Sequence, residues 1–137
     1  MKSLNTQATQ IIQKLYEAMY SEPYMIEKGY AKIKNSEGYM PVVIELVGDI
    51  KGYGKVISIA HFGEQNGDLM ADPEMTFTIF NGEYYPISFR NDYLGINQEV
   101  FSFNEEGSPI AINTRLQSDL ATFSNQWMKN IQEQQRL

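Results

Sequence analysis

The middle of the chain, between residues 29 and 103, consists of short apolar runs separated by turn signals. The runs are rich in β-branched and aromatic residues, and several alternate apolar with polar side chains, as half-buried strands do. Asn81-Gly82 is the strongest hairpin signal among the connections, because a type I′ turn needs positive φ at both central residues. Since the connections are short, we expect an antiparallel sheet of about five to six strands, with Pro86 at an edge or a bulge. The runs are Tyr30–Lys34, Val42–Val47, Val56–Phe62, Met75–Phe80, Tyr84–Phe89 and Glu99–Phe103.

A helix is predicted on each side of this region. Residues 4–20 place apolar side chains three and four apart, which forms one stripe of a helix that Ser3 or Asn5 could cap and that ends before Glu22-Pro23. The second stripe is Leu116, Leu120, Phe123, Trp127 and Ile131, with a capping box at Thr114 and Gln117. We therefore expect one α+β domain over residues 1–137, with both helices packed on the sheet and Trp127 buried. The alternative for the Phe123 and Trp127 stripe is a ligand groove or a face for a partner helix.

Composition excludes several function classes. The 137 residues contain no cysteine, so disulfides, thiolate metal sites and cysteine nucleophiles are absent. The net charge of -6, from 17 acids and 11 bases, disfavours a nucleic-acid binder. No apolar run is long enough to cross a bilayer, and residues 1–7 turn polar at once, unlike a signal peptide. We expect a cytoplasmic protein with no membrane partner.

The most unusual segment runs from His61 to Met75. It contains the only histidine and several acids, and no basic residue lies between Lys55 and Arg90. Because the segment joins two predicted strands, we expect a loop or an irregular hairpin there, where polar residues are tolerated and function is often located.

The pattern His61-x-x-Glu64-Gln65-Asn66-Gly67-Asp68-x-Met70-x-Asp72-Pro73-Glu74-Met75 resembles the signature of an uncharacterised bacterial family of domains of unknown function. The resemblance is densest over residues 56–80, and Gly38–Val42 is also similar, while the terminal helices lie outside it. It implies a small sheet-containing domain among accessory proteins of conjugative and other mobile elements. It assigns no role to any residue.

Three interpretations of the segment remain open. In the first, Asn66-Gly67 and Asp72-Pro73 form turns, or Asp72 caps a short helical turn, and His61 is a partly buried residue at a strand end. In the second, His61, Glu64 and Asp68 bind a metal, although their spacing matches no standard site and we expect neither a tight metal nor a cofactor. In the third, the segment binds another protein, helped by tyrosines. The candidate surface is His61, Glu64, Asn66, Asp68, Asp72, Glu74, Tyr84 and Tyr85.

The function that we predict is that of a non-enzymatic accessory domain that acts through protein contacts. The alternative is a metal-dependent hydrolase that uses His61 and nearby carboxylates. A serine hydrolase is not favoured, because the chain lacks a G-x-S-x-G motif, and Gly52–Lys55 lacks the phosphate-binding patterns.

Overall fold

The computed structural model describes residues 1–137 as an antiparallel sheet with a helix from each end of the chain on one of its faces. Seven strands follow one another as a simple meander, and each pairs with the next. Two further strands form a separate small sheet before the last helix. The elements are α1 (Thr6–Ala18), β1 (Met25–Glu27), β2 (Tyr30–Ile33), β3 (Val42–Ile50), β4 (Gly54–Gln65), β5 (Asp68–Phe80), β6 (Glu83–Asn91), β7 (Ile96–Glu99), β8 (Phe101–Phe103), β9 (Pro109–Ile112) and α2 (Thr114–Gln135).

The predicted α+β class is confirmed, but the main sheet has seven strands and not five to six. The sequence pattern missed β1, which has only three residues, and it fused β7 with β8 into one strand. The break lies at Val100, which is buried and whose N–H donates to the Ile87 carbonyl. Beyond Val100 the chain leaves the main sheet and pairs Phe101 with Ile112 in the small one.

Both helices are capped by asparagine. The Asn5 side chain accepts a hydrogen bond from the Ala8 N–H, as one of the two predicted caps would. At α2 the predicted capping box is wrong, because Asn113 is the cap and accepts from the Leu116 N–H. Gln117 is buried and bonds both the N–H and the carbonyl of Lys2, so it ties the start of the chain to α2.

The helices cover the face of the sheet on which the largest apolar side chains lie. Cross-strand pairing aligns Ile44, Ile59, Met75 and Phe89 in one row of this face. The hydroxyl of Ser124, on α2, points at the Met75 sulfur at 3.6 Å. Trp127 is only 6 % exposed, which confirms the prediction that it is buried. No helix is both long and apolar enough to cross a membrane.

The segment from His61 to Met75 forms a hairpin whose pairing is interrupted once, so the prediction of a loop is wrong and that of an irregular hairpin is right. β4 and β5 pair through it, with one irregularity between Ala60 and Phe62. Asp72-Pro73 therefore lies inside a strand and starts neither a turn nor a helix. Pro86 stands at an irregularity of β6, opposite Phe77, so the bulge and not the edge is its correct interpretation.

Candidate functional site

The end of the β4–β5 hairpin is an exposed acidic tip, which we define as residues 64–69. Its turn is Asn66-Gly67, with φ of 53° and 85°, a conformation that asparagine and glycine adopt more readily than other residues. All six residues of the acidic tip are exposed, and Leu69 is 68 % exposed. The tip extends past the neighbouring strands, since β3 pairs with β4 only up to Ala60. Three of the candidate residues, Glu64, Asn66 and Asp68, are therefore open to a partner.

An apolar hollow of about 240 Å³ adjoins the acidic tip. Its lining residues come from β2, from β3 and the residue before it, and from the hairpin, which contributes the exposed Leu69 of the tip. Lys32 and Val43 are register partners in the sheet and alternate with the helix-facing residues, so the hollow lies on the face without helices. The lining residues are Tyr30, Lys32, Pro41, Val43, Phe62 and Leu69.

His61 faces the helices and is buried, whereas the residues of the acidic tip are exposed. It is 6 % exposed, and its ring meets the Trp127 ring edge-on with centroids 5.7 Å apart. The Nδ1 atom lies 3.0 Å from the Pro41 carbonyl oxygen, which can only accept, so Nδ1 carries the proton. Burial lowers the pKa of His61 below its ordinary value, although the Pro41 carbonyl and the charge of Asp72 act in the other direction. The histidine is thus a neutral residue of the core.

The proposed metal ligands do not converge. Glu64 and Asp68 lie on the exposed acidic tip, whereas His61 is buried between the sheet and α2. No group of three or more histidine, aspartate or glutamate side chains is placed to hold a metal ion anywhere in the chain.

Asp72 and Glu74 take part in hydrogen bonds along the hairpin. The Asp72 Oδ1 atom accepts from the Nδ2 of Asn91 at 3.1 Å, and Asn91 in turn accepts from the Leu94 N–H. Glu74 accepts from the Ser58 hydroxyl at 2.8 Å and lies 3.6 Å from a guanidinium nitrogen of Arg90. These two acids therefore belong to the architecture of the sheet as well as to the candidate surface.

The two candidate tyrosines lie on β6, opposite the C-terminal end of β5 and next to the Asn81-Gly82 turn. Tyr84 is 2 % exposed and its hydroxyl donates to Gln13, so it does not belong to any surface that a partner could reach. Burial, with smaller effects of Tyr16 and Glu17, raises the pKa of Tyr84 to about 12. Tyr85 is half-buried and donates to Glu83, and this bond raises its pKa.

The face of the sheet without helices also carries a second recess, the polar hollow, which the sequence patterns did not indicate. It has a volume of about 280 Å³ and holds three hydroxyls, two glutamates and an arginine between β3 and β7. Its members alternate with buried apolar residues along β4, β5 and β6, and that period-two pattern of Ser and Thr inside strands was the signal available in the sequence. The lining residues are Val47, Ser58, Glu74, Thr76, Ser88, Arg90, Asn97 and Glu99.

Comparison with known proteins identifies the chain at the level of a family. Residues 7–137 match the family described as Domain of unknown function (DUF6908). This match extends over both terminal helices, which the resemblance seen in the sequence did not reach. No curated protein and no solved structure matches the chain significantly.

Proposed function

The chain belongs to DUF6908, a family of domains of unknown function, and we propose that it is a non-enzymatic protein-interaction domain that binds through the acidic tip and the adjoining apolar hollow. The single observation that carries the proposal is the position of an exposed leucine, Leu69, between exposed carboxylates at the end of a projecting hairpin. The proposed setting remains that of a cytoplasmic accessory protein, with the mobile-element association that the resemblance implies.

The negative charge of the hairpin indicates which charge the partner's surface should have. No lysine or arginine lies between Lys55 and Arg90, while Glu64 and Asp68 stand on the two strands beside the turn, opposite Leu69 and Gln65. A surface of one sign attracts a surface of the other and excludes proteins of like charge. The partner is therefore a protein that presents basic side chains.

The apolar hollow offers the partner an apolar contact, which would supply most of the binding affinity. Apolar side chains gathered at the surface mark sites where proteins associate, whereas single exposed ones have no such meaning. Here Phe62 and Leu69 of the hairpin face Pro41 and Val43 across a recess of about 240 Å³. A partner that inserts one apolar side chain there, with basic residues on the side of the acidic tip and away from Lys32, would match both features.

The hydrolase alternative has no observation in its favour. It needs His61 within reach of carboxylates and of a substrate, and the ring is enclosed by Trp127 and the Pro41 carbonyl on the helix side of the sheet. Glu64 and Asp68 are exposed at the acidic tip.

Site-specific photocrosslinking in cells that produce the full chain tests the proposal. A photoreactive amino acid at Gln65 should capture a defined protein, while the same group at Ile110, which is 65 % exposed and lies by Tyr53 at the opposite end of β4, should not. The double substitution Glu64→Gln and Asp68→Asn should reduce capture from position 65. The matched control, Glu105→Gln with Glu106→Gln, removes two exposed charges from the β8–β9 turn and should leave capture unchanged. Equal capture from both positions, or equal effects of both charge pairs, would contradict the proposal.

A further inference from the structure

β7 is the last strand of the main sheet, and its outer edge is unpaired. The Val100 N–H donates to the Ile87 carbonyl of β6, so Gln98, two residues earlier in the same register, directs its backbone groups to β6 as well. The N–H and carbonyl groups of Asn97 and Glu99 therefore point away from the sheet, and no further strand pairs with them. Both residues are exposed, so the edge offers hydrogen-bond donors and acceptors at a spacing of two residues.

A groove of about 220 Å³, which we name the edge groove, lies between this edge and α2. Its wall on α2 includes Leu116 and Phe123, and Phe123 is 42 % exposed. Gln98 is its residue from β7, so the groove opens on the face of the sheet that the helices cover. The lining residues are Phe89, Gln98, Leu116, Asp119, Leu120 and Phe123.

An extended chain laid antiparallel along β7 would fit both features. Its residues opposite Asn97 and Glu99 exchange backbone hydrogen bonds with the edge, and the residue between them stands opposite Gln98. Directly opposed side chains share a face of the sheet, so this middle side chain points into the edge groove, which Phe123 lines. A helix satisfies its own backbone groups and would leave the edge unpaired. The strand edge therefore favours an extended segment over a helix as the occupant.

The charges beside the edge are negative. Asp119 lines the groove on one side of β7, no lysine or arginine lines it, and Glu99 is exposed on the other face of the strand. Arg90, on the neighbouring strand, is paired with Asp92 through two hydrogen bonds of 2.8 and 2.9 Å. A segment with basic side chains on both sides of an apolar one complements these charges.

We propose that β7 and the edge groove bind an extended segment of a protein partner that carries one large apolar residue between two basic residues. The segment adds to the main sheet beside β7. Backbone hydrogen bonds to Asn97 and Glu99 supply affinity, and the apolar side chain in the edge groove supplies selectivity. Uncovered edge strands are places where another chain can pair in this way. The site shares no residue with the acidic tip or the apolar hollow.

Calorimetric titration of the whole chain with the peptide Thr-Lys-Leu-Lys-Thr, blocked at both ends, tests the proposal. N-methylation of the first lysine removes a donor that faces β7, whereas N-methylation of the leucine removes one that faces solvent. The first change should weaken binding at least about tenfold, because it leaves a backbone acceptor of the edge unpaired, and the second should have little effect. Equal binding of the two methylated peptides, or no saturable binding of the parent peptide, would overturn the proposal.

Amide hydrogen exchange measured by NMR reads the edge directly. In the free protein the amides of Asn97 and Glu99 should exchange quickly, and the peptide should protect them, while the Gln98 amide is protected in both states by its bond to β6. If the edge amides become protected without peptide as the protein concentration rises, the occupant is a second copy of this chain, and the proposal of a basic segment is wrong.

Two exposed phenylalanines provide matched variants for the groove. Phe123→Ser removes a ring from the edge groove and should weaken peptide binding about tenfold, as loss of an apolar anchor does. Phe103→Ser removes a ring of similar exposure, 44 %, from β8 and should leave binding unchanged. Equal effects of the two variants would overturn the proposal. None of these results bears on the acidic tip, which photocrosslinking at position 65 tests separately.

Discussion

At the scale of single residues, the acids of the hairpin fall into two groups, those that are hydrogen-bonded within the sheet and those that are only solvated. Glu64 is exposed at the acidic tip with no bonded partner, whereas Asp72 accepts a hydrogen bond from the nearly buried Asn91. Their different surroundings come from the register of β4, β5 and β6, which a run of acids in the sequence does not reveal.

This difference predicts opposite effects on stability. Asp72→Ala should lower the free energy of unfolding by about 1 kcal/mol or more, because it leaves the amide of Asn91 without its acceptor. Glu64→Gln should stay within about 0.5 kcal/mol of the parent, as exposed substitutions usually do. Urea denaturation of both variants measures the two values, and a larger loss for Glu64→Gln would show that the tip is part of a buried network.

The burial of His61 should make the stability of the protein depend on pH. Its pKa is lowered in the folded protein, so below about pH 6.5 the unfolded chain takes up the proton first. The free energy of unfolding should therefore decrease as the pH falls through this range, on account of His61 alone. His61→Asn, which retains a donor for the Pro41 carbonyl, should show a shallower decrease between about pH 7 and pH 5 in chemical denaturation. Identical slopes for the two proteins would contradict the placement of a neutral histidine in the core.

Trp127 is the largest side chain between α2 and the sheet. Because it is buried and contacts both His61 and Phe123, Trp127→Ala should cost about 3–5 kcal/mol of stability. A denaturation midpoint close to that of the parent protein would contradict this position. Phe123 belongs to the same predicted stripe but is 42 % exposed and meets the Phe89 ring edge-on, so its truncation should cost less.

At the scale of elements, the β3–β4 turn depends on one glycine more than on its neighbour. Gly52 and Gly54 both have positive φ, of 85° and 89°. A Cβ at Gly54 would overlap the Ile79 carbonyl oxygen on β5, whereas one at Gly52 would meet nothing within 4 Å. The close approach of β5 is therefore specific to Gly54.

Gly54→Ala should destabilise the protein clearly more than Gly52→Ala. Both variants carry the cost of an alanine at positive φ, about 1 kcal/mol, and only Gly54→Ala also forces β4 away from β5. The difference between their free energies of unfolding isolates the steric contact. Equal losses would mean that the two strands do not approach each other as closely as the structure has them.

The helices and strands also show which parts of the fold can be predicted from sequence patterns. The stripes of α1 and α2 and the runs of β2 to β6 were predictable, because burial on one face imposes a period that the residues display. The hairpin from His61 to Met75 was not fully predictable, because its end pairs with no third strand and is solvated on both faces, so acids replace the usual alternation. The polar hollow was missed for a related reason, since Ser58, Thr76 and Ser88 acquire meaning only when the register aligns them.

At the scale of the whole molecule, the two faces of the main sheet differ in what they contact. One face is covered by α1 and α2 and forms the core, while the other carries both the apolar and the polar hollow. The β4–β5 hairpin extends the open face past the rest of the sheet. We propose that this extension is the surface that a protein partner binds.

This proposal is tested by the affinity of the purified domain for the protein captured at position 65. Leu69→Ser removes an exposed apolar side chain from the acidic tip, and Ile110→Ser removes one of nearly equal exposure that lies by Tyr53 at the opposite end of β4. By calorimetry, the first variant should raise the dissociation constant about tenfold or more, as loss of a central apolar contact does. The second should leave it unchanged. Equal dissociation constants for the two variants would contradict the claim that the hairpin is the binding surface.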